Sequence, residues 1–267
     1  MKNKKVTNHI VNWLKGYSDK SKTEGFVVGI SGGIDSALTS TLCAMTKKKV
    51  IALNMPILQH KEQDERAKEH IAWLKKNYVN VTGDEIDLTD AFLKIKSHFP
   101  EKVNRHLLTM GNTRSRLRMI TLYAYAGANK MLVAGTGNKV EDFGVGFFTK
   151  YGDGGVDLSP IADLIKSEIY SLAAELGVGK SILEAPPTDG LWEDKRSDED
   201  QIGASYDELE WAMKYLSQKS KVKSQKLNFR EKEVIEIFQR FNTMNSHKIK
   251  PIPVCVIPSE LKQKIPK

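Results

Sequence analysis

The stretch that decides the fold is Gly29-Ile30-Ser31-Gly32-Gly33-Ile34-Asp35-Ser36. An apolar run at residues 26–28 precedes it, and residues 37–45 follow with the composition of a helix. A strand, a glycine-rich turn and a helix in this order direct backbone N–H groups and a helix N-terminus at one point, which favours an anion there. The stretch therefore predicts a phosphate-binding loop at the carboxyl end of a buried strand.

The residue types of this loop fit a phosphate ligand. Gly32 and Gly33 lack a Cβ atom, so a phosphate can approach the backbone closely. Ser31 and Ser36 add hydroxyl donors. Asp35 alone would repel a phosphate, and we therefore expect it to bind a divalent cation, Mg²⁺, that bridges the charges. The alternative is an ordinary glycine-rich turn in which Asp35 caps the helix.

The loop resembles the SGGxDS pyrophosphate loop of the N-type ATP pyrophosphatases. That superfamily cleaves ATP between the α- and β-phosphates and adenylates an acid or amide oxygen. The resemblance implies ATP as a substrate, and the identity of the second substrate must come from other parts of the chain.

Apolar runs alternate with helical patterns along the first half of the chain. Strands are predicted at residues 26–28, 50–55, 79–86 and 131–134, and helices at 1–17, 61–77, from 87, and 103–129. This series predicts a parallel, doubly wound α/β sheet with helices on both faces and a ligand at the carboxyl ends of its strands. Further helices are predicted at 161–176, 206–216 and 230–244, and residues 1–267 are expected to form a single domain.

The composition fits a soluble globular protein with a basic excess. The net charge of +8 allows either a nucleic-acid-binding protein or an enzyme that acts on anionic small molecules. The lysines are dispersed without interleaved aromatic residues, so we expect no nucleic-acid partner. No apolar run approaches the length of a membrane span. Cys43 and Cys255 lie in apolar segments without metal-ligand spacing, which predicts two buried thiols and a cytoplasmic protein.

A second polar loop, GTGNKVED at residues 135–142, follows the strand at 131–134. It misses the dinucleotide fingerprint because Val140 stands where the third glycine belongs. Thr136 remains as a hydroxyl donor and Glu141 as a second candidate metal ligand. Residues 146–157 then combine four glycines, two carboxylates, a lysine and three aromatic residues, which predicts a packed loop that lines a pocket.

Arginines and a long polar segment frame these loops. Arg114 and Arg118 lie one helical turn apart, whereas Arg116 points to another side of the helix. The alternative for all three is a solvated basic face.

Residues 185–202 are rich in Pro and Asp and lack periodicity, which predicts a mobile loop over the site.

The ordered combination of motifs resembles the ammonia-dependent NAD⁺ synthetases over nearly the whole chain. The motifs are SGGIDS (31–36), the arginine-rich helix, GTGNKVE (135–141), FFTKYGDGGVD (147–157) and Pro187-Thr188. The resemblance implies a homodimeric ligase that amidates deamido-NAD⁺ to NAD⁺. It implies ATP and ammonia as the other substrates, Mg²⁺ as the cofactor, an acyl-adenylate intermediate, and AMP and pyrophosphate as products.

The resemblance also implies roles for particular residues. ATP would be bound by Gly29, Ile30, Ser31, Gly32, Gly33, Ile34, Asp35, Ser36, Thr136, Lys166 and Thr188. Deamido-NAD⁺ would be bound by Arg116, Lys150, Asp157, His247 and Lys248. Mg²⁺ would be bound by Asp35 and Glu141. The chain has one residue more than the usual family spacing between Glu141 and FFTK, so either Glu141 or Asp142 faces the metal, and we favour Glu141.

Asp153 is our candidate for the residue that positions ammonium and accepts its proton. The alternative is a turn-forming Asp between glycines. Neither cysteine has the sequence context of a glutaminase nucleophile, so we expect ammonia from solution or from a separate protein.

Two other functions stay open at this point. The chain could be another adenylating amidotransferase or a thiolation enzyme of the same superfamily. It could also be a nucleotide-sensing or nucleic-acid-binding protein that reuses the fold. Formation of AMP and NAD⁺ from ATP, deamido-NAD⁺ and ammonium would separate the three.

Overall fold

The computed structural model describes residues 1–186, 197–218 and 227–262. Within them, a parallel sheet of four strands has the order β3-β2-β1-β4. The strands are β1 (Gly25–Gly29), β2 (Lys49–Asn54), β3 (Val81–Glu85) and β4 (Leu132–Val133). The predicted parallel sheet is therefore confirmed, although β4 is shorter than the apolar run at 131–134 suggested.

Twelve α-helices lie in the described residues. They are α1 (Asn3–Ser21), α2 (Ile34–Met45), α3 (Lys61–Asn77), α4 (Thr89–Lys96), α5 (Glu101–Asn104), α6 (Leu107–Asn129), α7 (Lys166–Glu175), α8 (Lys180–Leu183), α9 (Asp198–Ile202), α10 (Tyr206–Ser217), α11 (Phe229–Met244) and α12 (Ser246–Ile249). A π-helix (Val140–Val145) and a 3₁₀ helix (Ser259–Leu261) complete the elements.

The two faces of the sheet are both covered by helices. Along β1, Phe26 and Val28 join a core cluster with α1, α2, α3 and α7, whereas Val27 joins a second cluster with α4 and α6. Successive side chains of a strand point to opposite faces, which explains the division. All three are fully buried, as expected for a strand in the middle of a parallel sheet. The sheet is doubly wound, as predicted.

The glycine loop follows β1 directly and leads into α2. Ile30 and Ile34 are buried and anchor the two ends of the loop in the core. Gly32 has a φ of +79°, and a Cβ atom there would lie 2.4 Å from the backbone oxygen of Gln63. A residue with a side chain is therefore excluded at this position. The loop lies at the carboxyl edge of the sheet, where the sequence predicted it.

Two of the long predicted helices are shorter in the structure. The helix predicted at 103–129 is divided into α5 and α6, because the side chain of His106 accepts a hydrogen bond from the Thr109 N–H (3.2 Å) and begins a new helix. The helix predicted from 161 begins only at Lys166. The Glu168 side chain accepts from the Ile165 N–H (3.1 Å) and fixes that start.

The segment predicted as a mobile loop, 185–202, is not irregular throughout. Its end forms α9, whose first turn is capped by the Ser197 hydroxyl, which accepts from the Asp200 N–H at 3.1 Å. Thr188 and the rest of residues 187–196 lie outside the described residues.

The C-terminal part adds a third core cluster. Val140 and Val145 of the π-helix pack with residues of α10 and α11, among them Leu209 and Phe238.

Cys43 is buried in α2 as predicted, but Cys255 is exposed, so the prediction of two buried thiols is wrong for Cys255. Cys255 lies in an extended tail beyond α12, where Val254 and Val256 are also exposed. In the described part of the chain, every helix is too short or too polar to span a bilayer.

His70 joins α3 to α2 inside the first core cluster. It is 2% exposed, its Nε2 lies 3.0 Å from the Ser40 hydroxyl oxygen, and its ring stacks on Trp73. Burial lowers the pKa of His70 to about 4. The neutral imidazole is therefore the form that the folded protein accommodates.

We predict that His70 makes the folded state sensitive to acid. Its pKa is depressed from 6.5, so stability is fully present above pH 6.5 and is lost as the pH falls towards 4. The free energy of unfolding should fall by at most about 1.4 kcal/mol per pH unit in this window. Urea unfolding of His70→Gln between pH 7 and 4 should show a smaller loss than the wild type. The exposed control His9→Gln should match the wild type, and an unchanged pH dependence in His70→Gln would contradict the assignment.

Candidate active site

The glycine loop is held by its own serines. The Ser36 hydroxyl donates to the Gly33 carbonyl at 2.9 Å and accepts from the Ser31 N–H at 3.2 Å. The Ser31 hydroxyl oxygen accepts from the Gly33 N–H at 3.2 Å. The first-turn N–H groups of α2 have no acceptor within their own helix. The loop thus presents a helix N-terminus to the carboxyl edge of the sheet, which favours an anion there.

A buried ammonium group lies beside this loop. Lys166, at the start of α7, is 5% exposed, and its Nζ lies 2.6 Å from Asp35 Oδ2 and 3.3 Å from Glu141 Oε1. The same Nζ lies 4.6 Å from the centre of the Tyr206 ring. The Tyr206 hydroxyl donates a short hydrogen bond to Glu141 Oε1. We call these four residues (Asp35, Glu141, Lys166 and Tyr206) the lysine cluster.

The charges of the lysine cluster depend on one another. Burial alone would lower the pKa of Lys166, but the carboxylates of Asp35 and Glu141 raise it above its ordinary value. Burial raises the pKa of Glu141, and the ammonium of Lys166 acts in the opposite direction. Burial and then the charge of Glu141 raise the pKa of Tyr206, so its hydroxyl stays protonated and donates. The ammonium of Lys166 is thus shared by two acidic side chains.

The π-helix decides which acidic residue joins the cluster. The Asn138 side-chain oxygen accepts from the N–H groups of Val140 (3.1 Å) and Glu141 (3.0 Å), and its amide donates to Asp35 Oδ1 at 3.3 Å. A π-helix accommodates one extra residue within a helical turn. Glu141 lies in the first turn of this π-helix, and its Oε1 reaches the Nζ of Lys166.

Asp142 points to a different place from Glu141. It lines a small cavity of about 110 Å³ together with Gly135, Asp153, Phe148 and Lys248. Burial, then the charges of Glu141 and Asp153, raise the pKa of Asp142 to about 8. The geometry therefore favours Glu141 over Asp142 as the neighbour of the glycine loop.

The last helices hold the π-helix in place. The side-chain amide of Asn242 donates to the Gly144 carbonyl at 2.7 Å, and that of Asn245 donates to the Val145 carbonyl at 2.8 Å. These carbonyls belong to the end of the π-helix, where acceptors lack partners within the helix. The conformation that positions Glu141 thus depends on residues about a hundred positions later in the chain.

Four of the five predicted dinucleotide-binding residues are brought together. Lys150 Nζ donates to the His247 carbonyl at 2.5 Å, and Arg116 Nε donates to the Lys150 carbonyl at 3.2 Å. Lys248 Nζ donates to the Phe148 carbonyl at 2.7 Å, and burial lowers its pKa. The side chains form a basic patch around the loop at 146–157, which is suited to an anionic ligand.

The fifth residue, Asp157, lies apart from that patch. Its carboxylate accepts from the Tyr123 hydroxyl at 3.1 Å and from the Val133 N–H at 2.8 Å. Burial and the charge of Asp157 raise the pKa of Tyr123 to about 12. In this geometry Asp157 supports the edge of β4. The hydroxyl-bearing Thr136 follows the end of β4 and is partly buried at the carboxyl edge.

Asp153 lines the cavity and also accepts hydrogen bonds that hold a turn together. Its Oδ1 accepts from the Ser115 hydroxyl (2.7 Å) and from the Thr149 N–H (3.0 Å). These bonds close the turn at 149–153, as the turn-forming alternative expects. Asp153 also lines the cavity with Asp142 and Lys248.

Two members of the site were missed from the sequence. Asn138 carried a usable signal, because an Asn just before a helical turn is a common cap. Tyr206 carried none, since nothing in the local sequence of α10 indicates that its hydroxyl reaches Glu141, 65 positions earlier.

Comparison with known proteins identifies the family. A family model described as NAD synthase matches residues 6–252. The chain belongs to the NAD synthase family. Its predicted enzyme class, a ligase that forms a carbon–nitrogen bond, is therefore confirmed. A family member from Methanosarcina acetivorans, named NH₃-dependent NAD⁺ synthetase, is 40% identical over 208 residues, which are 76% of this chain and 78% of that protein.

Two solved structures share the fold over nearly the whole chain. An NMN synthetase from Francisella tularensis has a TM-score of 0.79 and 32% identity, and the match covers 97% of this chain and 99% of that one. An NH₃-dependent NAD synthetase from Campylobacter jejuni, in complex with nitrate, has a TM-score of 0.78 and 29% identity, with 96% and 100% covered. The predicted fold class is therefore confirmed.

We predict that Lys166 stabilises the fold through the lysine cluster. Lys166→Met leaves two carboxylates beside each other without their cation, and it should lower the free energy of unfolding by about 3–5 kcal/mol. Lys139, whose partner Asp163 is almost fully exposed, is the matched control. Lys139→Met should cost less than about 1 kcal/mol. Urea unfolding at pH 7 measures both, and equal losses would contradict the buried ion pair.

Proposed function

We propose that the chain catalyses the ATP-dependent amidation of deamido-NAD⁺ to NAD⁺ with ammonia. The observation that carries the proposal is the lysine cluster beside the glycine loop, because it places a buried cation and two carboxylates where the loop favours phosphates. The basic patch of Arg116, Lys150, His247 and Lys248, whose Lys248 lines the small cavity, supports an anionic second substrate.

The first step activates the pyridine carboxylate. Its oxygen attacks the α-phosphorus of ATP, the bond from that phosphorus to the bridging oxygen breaks, and pyrophosphate leaves with the electron pair. The N–H groups of the loop at 29–36 and the ammonium of Lys166 stabilise the charge on the phosphates. The product is an acyl-adenylate.

The second step forms the amide. Ammonia attacks the carbonyl carbon of the acyl-adenylate, the added nitrogen loses a proton, the carbon–oxygen bond breaks, and AMP leaves with the electron pair. An ammonium ion must first lose a proton, and Asp153 at the small cavity is our candidate acceptor. Thr136 and Thr188 remain proposed contacts of ATP, and Asp157 remains a proposed contact of deamido-NAD⁺.

The residues beside the loop fit a magnesium ion. Mg²⁺ is bound in nucleotide sites by one or two carboxylates together with phosphate oxygens. Asp35 and Glu141 supply two carboxylates at the mouth of the loop, and both contact the ammonium of Lys166. In the described ranges no group of three or more His, Cys, Asp or Glu residues is arranged for a metal, so the phosphates would complete the ligand set. When bound, the ion would neutralise charge on the phosphate oxygens.

Three organisational features belong to the same proposal. A homodimer is supported by the exposed Leu107, Leu108 and Ile120 of α6, which lies beside the basic patch. A cytoplasmic location is supported by two free cysteines. A single domain over residues 1–267 is supported by the family match, which runs through 6–252 without interruption.

A second candidate substrate is the corresponding mononucleotide acid. The similarity to the Francisella tularensis NMN synthetase extends over nearly the whole chain and supports this alternative. Both candidates carry the same pyridine carboxylate and share the same two steps. The dinucleotide acid carries a second nucleotide that the protein must also bind, and the mononucleotide acid does not.

We predict that the purified chain releases pyrophosphate and AMP when given ATP, Mg²⁺, ammonium and deamido-NAD⁺. The kcat/KM for deamido-NAD⁺ should exceed that for the mononucleotide acid by at least about tenfold, because the second nucleotide adds binding energy. Coupled detection of pyrophosphate and chromatography of the products measure both. A preference for the mononucleotide would favour the second candidate, and no turnover with either acid would refute the proposal.

We predict that Asp35→Asn reduces pyrophosphate release at least about 100-fold, because one carboxylate of the metal site is lost. Titration with Mn²⁺, followed by electron paramagnetic resonance in the presence of a non-hydrolysable ATP analogue, should show weaker metal binding. Asp163→Asn, which alters an exposed carboxylate paired with Lys139, should match the wild type in both measurements. Unchanged metal binding in Asp35→Asn would remove Asp35 from the site.

A further inference from the structure

Arg118 lies past the carboxyl edge of the sheet, next to residues that pack beside the glycine loop. On α6, Leu122 packs against Gly29, with its methyl groups 3.7 Å from where a Cβ of that glycine would be. Arg118 precedes Leu122 by one helical turn, about 6 Å along the axis. Because the later residues of α6 run towards the start of β4, Arg118 projects beyond the end of β1.

Two hydrogen bonds fix the guanidinium of Arg118. Its Nε donates to the Met55 carbonyl at 2.9 Å, and its Nη2 donates to the Gln59 side-chain oxygen at 2.8 Å. Met55 follows β2 and also packs beside Gly29. Among the described residues these bonds use two of the five N–H groups of the guanidinium. The orientation of the planar group is therefore set before any ligand arrives.

The charge of Arg118 is poorly compensated within the described part of the chain. Both bonded acceptors are neutral. Burial, and then the charge of Arg114, lower the pKa of Arg118 to about 10, and the opposing effect comes from Asp153. The carboxylate of Asp153 is itself engaged by Ser115 and Thr149. A desolvated guanidinium with neutral partners favours an anion as its next ligand.

The position identifies the part of the substrate. The glycine loop and the N-terminus of α2 favour the pyrophosphate end of ATP. The basic patch around Arg116 is proposed for the pyridine acid. Arg118 stands on the same helix as Arg116 and donates to Met55, which packs beside Gly29 of the loop. In the reacting pair, the group between pyrophosphate and the attacking carboxylate is the α-phosphoryl group.

We propose that Arg118 binds the α-phosphoryl group of ATP and stabilises the negative charge that accumulates there as the carboxylate oxygen attacks. Its N–H groups donate to the non-bridging oxygens of that phosphate, and the fixed fork matches their geometry. The inference rests on the proposed adenylation but not on which pyridine acid is the substrate. A purely structural alternative is that Arg118 ties the segment after β2 to α6.

Arg118→Met in the full chain separates the two roles. Loss of the α-phosphoryl contact should lower kcat for pyrophosphate release at least about 100-fold, with the KM for ammonium unchanged. The unfolding midpoint without ligand should stay within about 3 °C of the wild type, because removing a desolvated cation offsets the loss of two hydrogen bonds. Arg118→Lys keeps the charge without the fork and should recover about tenfold of the loss.

Comparing the unfolding midpoints with two ligands distinguishes phosphate binding by Arg118 from a purely structural role. Magnesium pyrophosphate lacks an α-phosphoryl group, and it should raise the unfolding midpoint of Arg118→Met as much as that of the wild type. The magnesium complex of α,β-methylene-ATP should raise the midpoint of the variant clearly less. Arg105→Met, on an exposed arginine that pairs with Glu101, is the control and should match the wild type throughout.

Several results would overturn the inference. A kcat within about threefold of the wild type would do so, as would equal stabilisation of variant and wild type by the ATP analogue. A lower midpoint combined with loss of the pyrophosphate effect would assign Arg118 to positioning of the loop. Failure of the wild type to release pyrophosphate would refute the proposed function instead, so the two failures are distinguishable.

Discussion

The ammonium group of Lys166 joins segments that are far apart in the chain. It contacts Asp35 in the first turn of α2, Glu141 in the π-helix and the ring of Tyr206 in α10. The ammonium of Lys166 and the carboxylates of Asp35 and Glu141 would each be costly to bury alone, and the ammonium offsets the carboxylates. Because Asp35 belongs to the glycine loop, the interaction that joins these segments also places their charged groups at the mouth of that loop.

The fold prepares this cluster through two different kinds of support. The parallel sheet brings the ends of β1 and β4 to one edge, so the loops at 29–36 and 135–142 become neighbours. The C-terminal helices then fix the π-helix through Asn242 and Asn245, while Lys150 and Lys248 connect the same helices to the loop at 146–157. The glycine loop and the basic patch therefore belong to one connected framework.

Local patterns explain why much of this was predictable from the sequence. The glycine loop, the parallel sheet and the neighbourhood of Asp35 and Glu141 follow from short motifs and from the periodicity of strands and helices. The contacts of Tyr206 depend on tertiary packing, so no local pattern predicted them. The π-helix was not predicted either, because its last carbonyls are held by Asn242 and Asn245, far along the chain. The break before α6 followed from a cap by His106, a residue that is not among the strong N-cap formers.

The central claim is that the carboxylate oxygen of the pyridine acid attacks the α-phosphorus at the lysine cluster. Deamido-NAD⁺ labelled with ¹⁸O in its carboxylate tests this most directly, with mass spectrometry of the products after complete turnover. The account predicts one ¹⁸O atom in the phosphate of AMP and none in pyrophosphate. Unlabelled AMP, or label in pyrophosphate, would contradict it.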